Sequence, residues 1–387
     1  MRAPTPRHPL RLLFLTDSPI TVSGGSERFL RNLVNHLAPE QFLINVVHLC
    51  EQPSEAERIH EAAVSPAIDV RYLPCAAVCS RSGLRAYRIL KCRVLDEGFH
   101  VIQSQHENAD VLNALLPRGP LNAIRISNRR DTGFLKSWKL RLASRLLNYR
   151  FDRIVAPTTA VLDAVATAEG AARKRMLCIP NGVDASRFCP AENAARARTR
   201  STLGIAPESP LIGCVADLFD VKRHVDLIDA FAQVRAEFPE AHLVLIGDGP
   251  LRRTIEERAR DRDIIDEVHL LGSRKDVDAL LPALDVFVLA SDTEGMSNAI
   301  LEAQACGLPV IATEVGGNPD LVDDICGRLV APRDPDALAA AMLALLRDAE
   351  LCQQMGVAAR ARVTSKHSLD AMAQAYASLY RESVHAR

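Results

Sequence analysis

The chain has 387 residues, 48% of them hydrophobic and 25% charged, and carries a formal net charge of −1. That length is too great for one ordinary core and suits two domains of a soluble globular protein. The near-neutral charge argues against a general nucleic-acid binder.

Ten cysteines are scattered without C-x-x-C pairs, and Cys75 and Cys79 have no histidines at finger spacing. Reduced thiols are therefore expected, not a disulfide framework or a zinc site. No apolar run approaches the length of a membrane span. The apolar piece at 12–15 ends at Asp17 and is too short for a signal peptide.

In chain order, residues 11–16 read as a strand, 21–27 as a glycine loop and 27–37 as an amphipathic helix. Residues 42–50 give the next strand. Helices follow near 55–64 and 83–97, with a short strand at 70–74 between them. Strand 101–104 ends at Gln105 and His106, and 109–116 is helical. Strands at 122–127 and 153–156 flank a basic helix. Alternation of this kind builds a parallel, doubly wound sheet.

A strand at 175–180 leads into a turn at 181–184. The Ala-, Arg- and Pro-rich stretch beyond places the interdomain linker at 185–209. The second half alternates strand 211–216, helix 226–238, strand 242–247, helix 251–261, strand 268–271 and helix 277–283. Residues 285–290 form a short buried strand and 291–297 a polar loop. A helix capped by Ser297 or Asn298 stops at Gly307 and Pro309. Strand 309–313 precedes the Gly316-Gly317 turn. Helices at 335–347, 350–364 and 368–381 follow, and Leu369, Met372, Tyr376 and Leu379 give the last one an apolar face.

Glu294 and Glu302 thus fall at the carboxyl end of a parallel strand and on the next helix, the edge where open α/β sheets bind ligands. Carboxylates there repel phosphate but accept hydrogen bonds from sugar hydroxyls. The Gly24-Gly25 loop could cradle a phosphate with backbone N–H groups. Its spacing is not G-x-G-x-x-G, so the dehydrogenase fingerprint fails. Ser297 sits in G-x-S-x-A within a loop too long for a nucleophile elbow. His106 could bind a sugar hydroxyl or move a proton, and a structural role is the other reading. From Arg125 to Arg153, nine Arg or Lys stand against Asp131 and Asp152, with Trp138 among them. That segment is either a solvated face or a surface for anionic lipid head groups or a lipid-phosphate acceptor.

The run Glu294-Gly-Met-Ser-Asn-Ala-Ile-Leu-Glu302-Ala-Gln-Ala-Cys-Gly-Leu-Pro-Val310 resembles a family signature, E-G-x-[SP]-x-x-x-x-E-A-x-A-x-G-x-P-V. The family is the retaining family 4 (group 1) glycosyltransferases, which have the GT-B fold. Gly24-Gly25-Ser26-Glu27-Arg28 resembles its G-G-x-E-R, and Asn128-Arg129-Arg130-Asp131 the N-R-R-D string of some members. His106 lies near a family histidine, although Gln103 replaces the first histidine of that string. Gly247-Asp248-Gly249-Pro250 is similar to the family's G-x-G-P turn. Lys222 matches its phosphate-binding lysine, but Asp217 stands where an arginine is usual.

The resemblance implies an α/β fold of two Rossmann-like doubly wound domains facing across a cleft. The acceptor-side domain would span 1–185, completed by the helix at 366–387, and the donor domain 186–365. It implies retaining transfer of a sugar from a nucleotide diphosphate sugar to a saccharide or lipid-linked hydroxyl, in bacterial surface polysaccharide or glycolipid synthesis. Glu294, His106 and Lys222 are the implied catalytic residues. Donor contacts are implied for Gly24, Gly25, Lys222, Arg223, Arg274, Glu294, Gly295, Met296, Ser297 and Glu302, with Glu302 on the ribose and Glu294 on the transferred sugar. Glu27, Arg129 and Arg130 are placed on the acceptor side. No metal or cofactor is required, and no nucleic-acid partner is expected. The expected location is the cytoplasm, peripheral at the inner face of the membrane with its anionic surface. Asp217 is expected to turn away, for instance paired with Arg223 or Lys222, leaving Lys222 as the principal cation at the leaving group. The alternatives are a nucleotide-sugar 2-epimerase of the same fold and a nucleotide-sugar-binding protein without activity.

Overall fold

The computed structural model describes residues 8–20, 24–52, 64–133, 136 and 138–386. The helix expected near 55–64 and the start of the glycine loop fall almost wholly outside that range. The chain divides into two compact units, Met1–Gly182 with Leu369–Arg387, and Val183–Ser368.

The first unit is built on a seven-stranded parallel sheet. Its strands are β1 (Leu10–Thr16), β2 (Phe42–His48), β3 (Asp69–Tyr72), β4 (Val101–Gln105), β5 (Ile124–Asn128), β6 (Arg153–Ala156) and β7 (Met176–Cys178). They lie in the order β3-β2-β1-β4-β5-β6-β7. Helices α1 (Gly25–His36), α2 (Arg81–Glu97), α3 (Glu107–Leu115), α4 (Trp138–Leu147) and α5 (Thr159–Glu169) connect them. Every residue of β4 and β5 is buried, as expected of central parallel strands covered on both faces. The reversal of strand order falls between β1 and β4, and their carboxyl ends open a crevice there.

The second unit begins with α6 (Asn193–Thr202). Its six parallel strands are β8 (Leu211–Val215), β9 (His242–Ile246), β10 (Val268–Leu270), β11 (Val286–Leu289), β12 (Val310–Thr313) and β13 (Gly327–Val330). Their order, β10-β9-β8-β11-β12-β13, reverses between β8 and β11. Helices α7 (His224–Glu237), α8 (Arg252–Asp261), α9 (Val277–Leu280), α10 (Asn298–Ala305), α11 (Asn318–Leu321), α12 (Pro335–Arg347) and α13 (Ala349–Lys366) complete it. Side-chain caps set several helix starts. Ser297 accepts from Ile300 N at the head of α10, Asp334 from Ala337 N at α12, and Asp348 from Leu351 N at α13.

The last helix, α14 (Leu369–His385), returns to the first unit. Leu369, Met372, Tyr376 and Leu379 are buried in one cluster with Phe14, Phe29 and Phe42. Two phenols then tie it to the sheet: Tyr376 accepts from Asn128 Nδ2 at 2.9 Å, and Tyr380 donates to Gln103 Oε1 at 2.8 Å.

Three elements depart from the sequence reading. The segment expected as a linker forms α6, packed in the second unit by arginine more than by apolar residues. Arg200, 2% exposed, donates to the carbonyls of Ala283, Pro207 and Ser209 and to Asp285. Helix α5, started by Thr158 and ended at Gly170, and the short edge strand β13 were not anticipated.

Candidate functional site

Both sheets place chemistry at their switch points. In the second unit β8 ends in a loop and a short 3-10 turn, Asp220–Lys222, and Arg223 takes φ 52° before α7 starts. This sends the Lys222 side chain toward the loop after β11. Its Nζ lies 2.6 Å from Glu294 Oε1. The same carboxylate oxygen accepts from Ser291 Oγ at 2.6 Å, and Thr313 Oγ1 at the end of β12 donates to the Ser291 carbonyl at 2.6 Å. A charge-assisted cluster thus bridges three strand ends, with Ser291 fully buried and Glu294 9% exposed.

The Gly316-Gly317 turn clamps this loop from behind. Gly316 has φ 51°, and a Cβ there would come within 1.8 Å of the Glu294 carbonyl oxygen. Gly317 N donates to that same carbonyl at 3.3 Å. Only a glycine permits both the left-handed backbone and the approach. Gly295, Met296 and Ser297 follow Glu294 in the loop, with Met296 buried and Ser297 used as the α10 cap. Glu302 is 2% exposed on α10 and contributes, after Asp278, to holding the Arg187 guanidinium in its charged form.

Several expected cations are engaged elsewhere. Arg223 makes a two-point contact to Asp226, and Arg274 does the same to Asp276 on the surface. Asp217 is exposed and forms no ion pair among the described residues, contrary to its expected pairing with Lys222 or Arg223. Both cations meet nearer carboxylates instead.

In the first unit the crevice between β1 and β4 holds His106, Glu27 and Asp17. His106 follows β4 at φ 74°, an unusual backbone for a non-glycine residue. Its Nδ1 lies 3.1 Å from Thr16 Oγ1 and its Nε2 3.9 Å from Glu27 Oε1. Glu27 folds back over the loop, so that a Cβ on Gly24 (φ 149°) would lie 2.1 Å from its Oε2. Gln105 Nε2 donates to the Ser26 carbonyl at 2.9 Å, tying β4 to the same turn as Gly25. Asp17, overlooked in the sequence, accepts from the N–H groups of Asn108 and Ala109 at the head of α3. Burial pushes its carboxyl up to about 6, against the pull of those N–H groups and His106. The amino end of α3 is therefore already occupied by a carboxylate.

Arg129 and Arg130 follow β5 and part company. Arg129 is 5% exposed and lies 2.8 Å from Asp110 and 3.3 Å from Glu169. Asp110 in turn accepts from Ser104 at 2.6 Å and Ser127 at 3.0 Å. Arg129 is thus a buried structural hub, not a free acceptor contact. Lys136, expected on the basic surface, is 7% exposed and paired with Glu169 at 2.7 Å. Arg130 instead stacks its guanidinium 3.7 Å from the centroid of the Phe29 ring and donates to the Asn181 amide oxygen.

The comparisons with known proteins agree with this layout. The description "Glycosyl transferases group 1" matches residues 195–362, and "Glycosyltransferase Family 4" matches 23–187. A Corynebacterium glutamicum GDP-mannose-dependent monoacylated α-(1-6)-phosphatidylinositol monomannoside mannosyltransferase is 36% identical over 205 residues, 51% of this chain and 53% of that protein. The N-acetyl-α-D-glucosaminyl L-malate synthase of Bacillus anthracis is 34% identical over 178 residues, 46% of each. The chain spans about half the length of these curated relatives. Among solved structures, Anabaena Alr3699/HepE in complex with UDP superposes with a TM-score of 0.83 at 20% identity, covering 96% of this chain and 100% of that one. WaaG, a glycosyltransferase involved in lipopolysaccharide biosynthesis, gives 0.75 at 17% identity, covering 95% and 99%. At such identities the likeness speaks to the fold.

Proposed function

The chain belongs to the group 1, family 4 glycosyltransferases with the GT-B fold, and from that premise we propose that it transfers a sugar, with retention, from a nucleotide diphosphate sugar to an acceptor hydroxyl. The observation that carries this reading is the Lys222–Glu294–Ser291 cluster at the β8/β11 switch point. One ammonium and one carboxylate stand where a sugar diphosphate needs both: a cation for the leaving diphosphate and an acceptor for sugar hydroxyls.

On this reading the donor separates the pair. Lys222 moves onto the diphosphate and offsets the charge that grows on it as the glycosidic bond breaks. Glu294, held in place by Ser291 and by the Gly316 clamp on its backbone, takes hydroxyls of the transferred sugar. Glu302 takes the ribose. His106, oriented by Thr16 and close to Glu27, serves the acceptor hydroxyl. Attack comes from the leaving-group face, which preserves the anomeric configuration without a protein nucleophile. Metals and cofactors have no part in the proposal. Asp217 is compatible with activity because its carboxylate is exposed and Lys222 is drawn to Glu294.

The acceptor is proposed to be a saccharide or a lipid-linked molecule in surface polysaccharide or glycolipid assembly. The relatives named for phosphatidylinositol mannoside and L-malate point to that range. We place the reaction in the cytoplasm, at an anionic membrane surface. Helix α4 supports this placement. Trp138 is 71% exposed, Leu142 50% and Leu146 63%, one turn apart along a face that Arg141 and Arg145 share. Ser144 points inward with the core instead, the reverse of a water-facing helix. No described helix is long and apolar enough to cross a membrane.

A panel of nucleotide sugars, read first by thermal shift and then by product analysis with and without acceptor, tests the proposal. Transfer with retained configuration is expected. Consumption of the donor to a free epimerised sugar, or binding without turnover under any acceptor, would replace it with one of the two alternatives.

A further inference from the structure

The two consecutive arginines after β5 have the same sequence context and opposite settings. Arg129 faces Asp110 and Glu169, so its charge is matched inside the fold. Arg130 makes no ion pair within 4.0 Å among the described residues. Its contacts are neutral: the Phe29 ring and the Asn181 amide oxygen. Its Nε and Nη1 are buried and have no hydrogen-bond partner. A half-buried guanidinium left with unpaired donors and no counter-charge is costly, whereas an anion in reach of its fork turns the cost into binding.

The nearby acids do not fill that place. Asp131 uses its Oδ1 on Gly133 N, Asp110 is bound to Arg129 and two serines, and Glu27 is turned over Gly24 toward His106. Asp131 and Glu27 act on Arg130 only at longer range, and burial outweighs them, drawing its guanidinium down to about 10. Arg130 lines a small pocket together with His106, Asn128 and Lys136, and with Glu107, Asp110, Arg129 and Asp131 around the rest of the wall. Arg129 and Lys136 are matched by Asp110 and Glu169, so among the cations lining that pocket Arg130 is the one without an ion pair among the described residues.

We propose that Arg130 is the receptor for an anionic group, a phosphate or a carboxylate, carried by the acceptor substrate close to its reacting hydroxyl. The chemistry that links the two is the shared pocket: His106 stands at the strand end proposed to meet the hydroxyl, and Arg130 lines the same wall. The inference rests on the transfer reading only for calling the ligand an acceptor; the anion site itself stands on unit-one geometry. It narrows the acceptor from any hydroxyl compound to one already bearing a negative charge. A reaction that phosphorylates or carboxylates the acceptor, or attaches it to a phospholipid, must therefore come before this step.

The test uses the full chain and two probes, inorganic phosphate and acetate, with unfolding midpoint and calorimetry as readouts at fixed ionic strength. The wild type should bind at least one of them. Phosphate alone would mark a phosphate ester, and acetate alone a carboxylate. Arg130→Gln should lose at least ten-fold in that affinity. Arg130→Lys, which keeps the charge without the planar fork, should retain part of it and guards against a Gln variant that fails to fold. Lys222→Ala should keep the Arg130-dependent part of the probe response while losing nucleoside diphosphate, and Arg130→Gln should show the converse. Indifference of the wild type to both anions, or an unchanged response in Arg130→Gln, overturns the inference. Loss of nucleotide binding and transfer with the Arg130-dependent response intact would instead sink the transfer reading and leave the anion site standing.

Discussion

At the switch point of the second sheet the opposite charges have already met: Lys222 lies on Glu294 at 2.6 Å, and Ser291 donates to the same carboxylate oxygen. At the edge of the first sheet Arg130 is backed by an aromatic ring and an amide, and His106 by a threonine hydroxyl. Equivalent topology thus carries a self-satisfied site in one domain and an unmatched cation in the other. The difference teaches how each half meets its ligand. On the proposed transfer, the second domain has to exchange an internal ion pair for an external one. On the same proposal, the first domain needs only to be given its missing partner.

Removing the cation from the donor half should break this contrast most. Lys222→Ala is expected to lower turnover about 10²–10³-fold, the scale found when one preorganised charge-stabilising group is lost. Lys222→Arg should recover only part, because the planar fork places its charge elsewhere. Steady-state transfer rates check both, and a Lys222→Ala enzyme with near-normal turnover would remove Lys222 from the leaving-group role.

Glu294→Gln takes away the other member. Turnover should fall about 10²-fold, since on the proposed reading the residue meets the sugar as it reacts. Lys222 is released from its internal partner in this variant, so affinity for nucleoside diphosphate should hold or tighten. Weaker nucleotide binding in Glu294→Gln would show that the carboxylate serves the nucleotide instead.

How much of this was readable beforehand differs between the two halves. The run from Glu294 to Val310 is contiguous, so its strand, loop, cap and helix were legible, and with them the edge of the sheet that carries the site. The ion pair was not. Lys222 and Glu294 are 72 residues apart, and only the adjacency of β8 and β11 brings them together. Ser291 and Thr313 looked like ordinary loop and strand residues for the same reason. Asp217 was given a partner because Lys222 and Arg223 were near in sequence, but closer carboxylates at Glu294 and Asp226 won both cations. In the first half, the doublet Arg129-Arg130 gave no sign that one would be matched and the other not. That depends on Asp110, Glu169 and Phe29, each from a different helix. Helix α6 escaped notice because its anchor is Arg200 on backbone carbonyls, not an apolar stripe.

The two domains should also separate in acid. In the second, burial and then the charge of Lys222 lower His224 from 6.5 to about 4, and burial lowers His242 and His269 as well. The unfolded chain takes up protons near 6.5 and the fold resists until about 4. Stability present above pH 6.5 is therefore lost as pH falls toward 4, by at most about 3 kcal/mol for His224. In the first domain burial brings His48 to about 4 in the same sense, and burial and then the charge of Arg11 lower His100 as well. Asp17, raised by burial from 3.8 to about 6, opposes it, since its contribution is full below 3.8 and lost as pH rises through about 6. Denaturant unfolding followed by domain-resolved hydrogen exchange from pH 7 to 4.5 should show the steeper loss in the second domain, and His224→Gln should flatten it. Equal slopes in both domains would argue against this assignment.

The smallest expected effect concerns the membrane face proposed for the first domain. Arg145→Gln should weaken binding to anionic vesicles roughly five-fold, since one basic residue near such a surface is worth about 1 kcal/mol, and Leu142→Ser should weaken it through lost apolar contact. Raising the salt should mimic the arginine variant. Flotation that is absent at low salt in the wild type would detach α4 from any lipid role.

The central claim, that the second domain holds the donor with its nucleoside on Glu302 and its sugar on Glu294, is tested most directly by calorimetry with nucleoside diphosphates. Wild type, Glu302→Ala and Glu294→Gln would be titrated with UDP, GDP and ADP under one set of conditions. A charge-assisted hydrogen bond is worth about 1.5–3 kcal/mol. Glu302→Ala should therefore bind the preferred nucleotide roughly 10–150-fold more weakly, while Glu294→Gln matches the wild type or exceeds it. Equal affinity in wild type and Glu302→Ala, or a loss in Glu294→Gln as large as that in Glu302→Ala, would contradict the account.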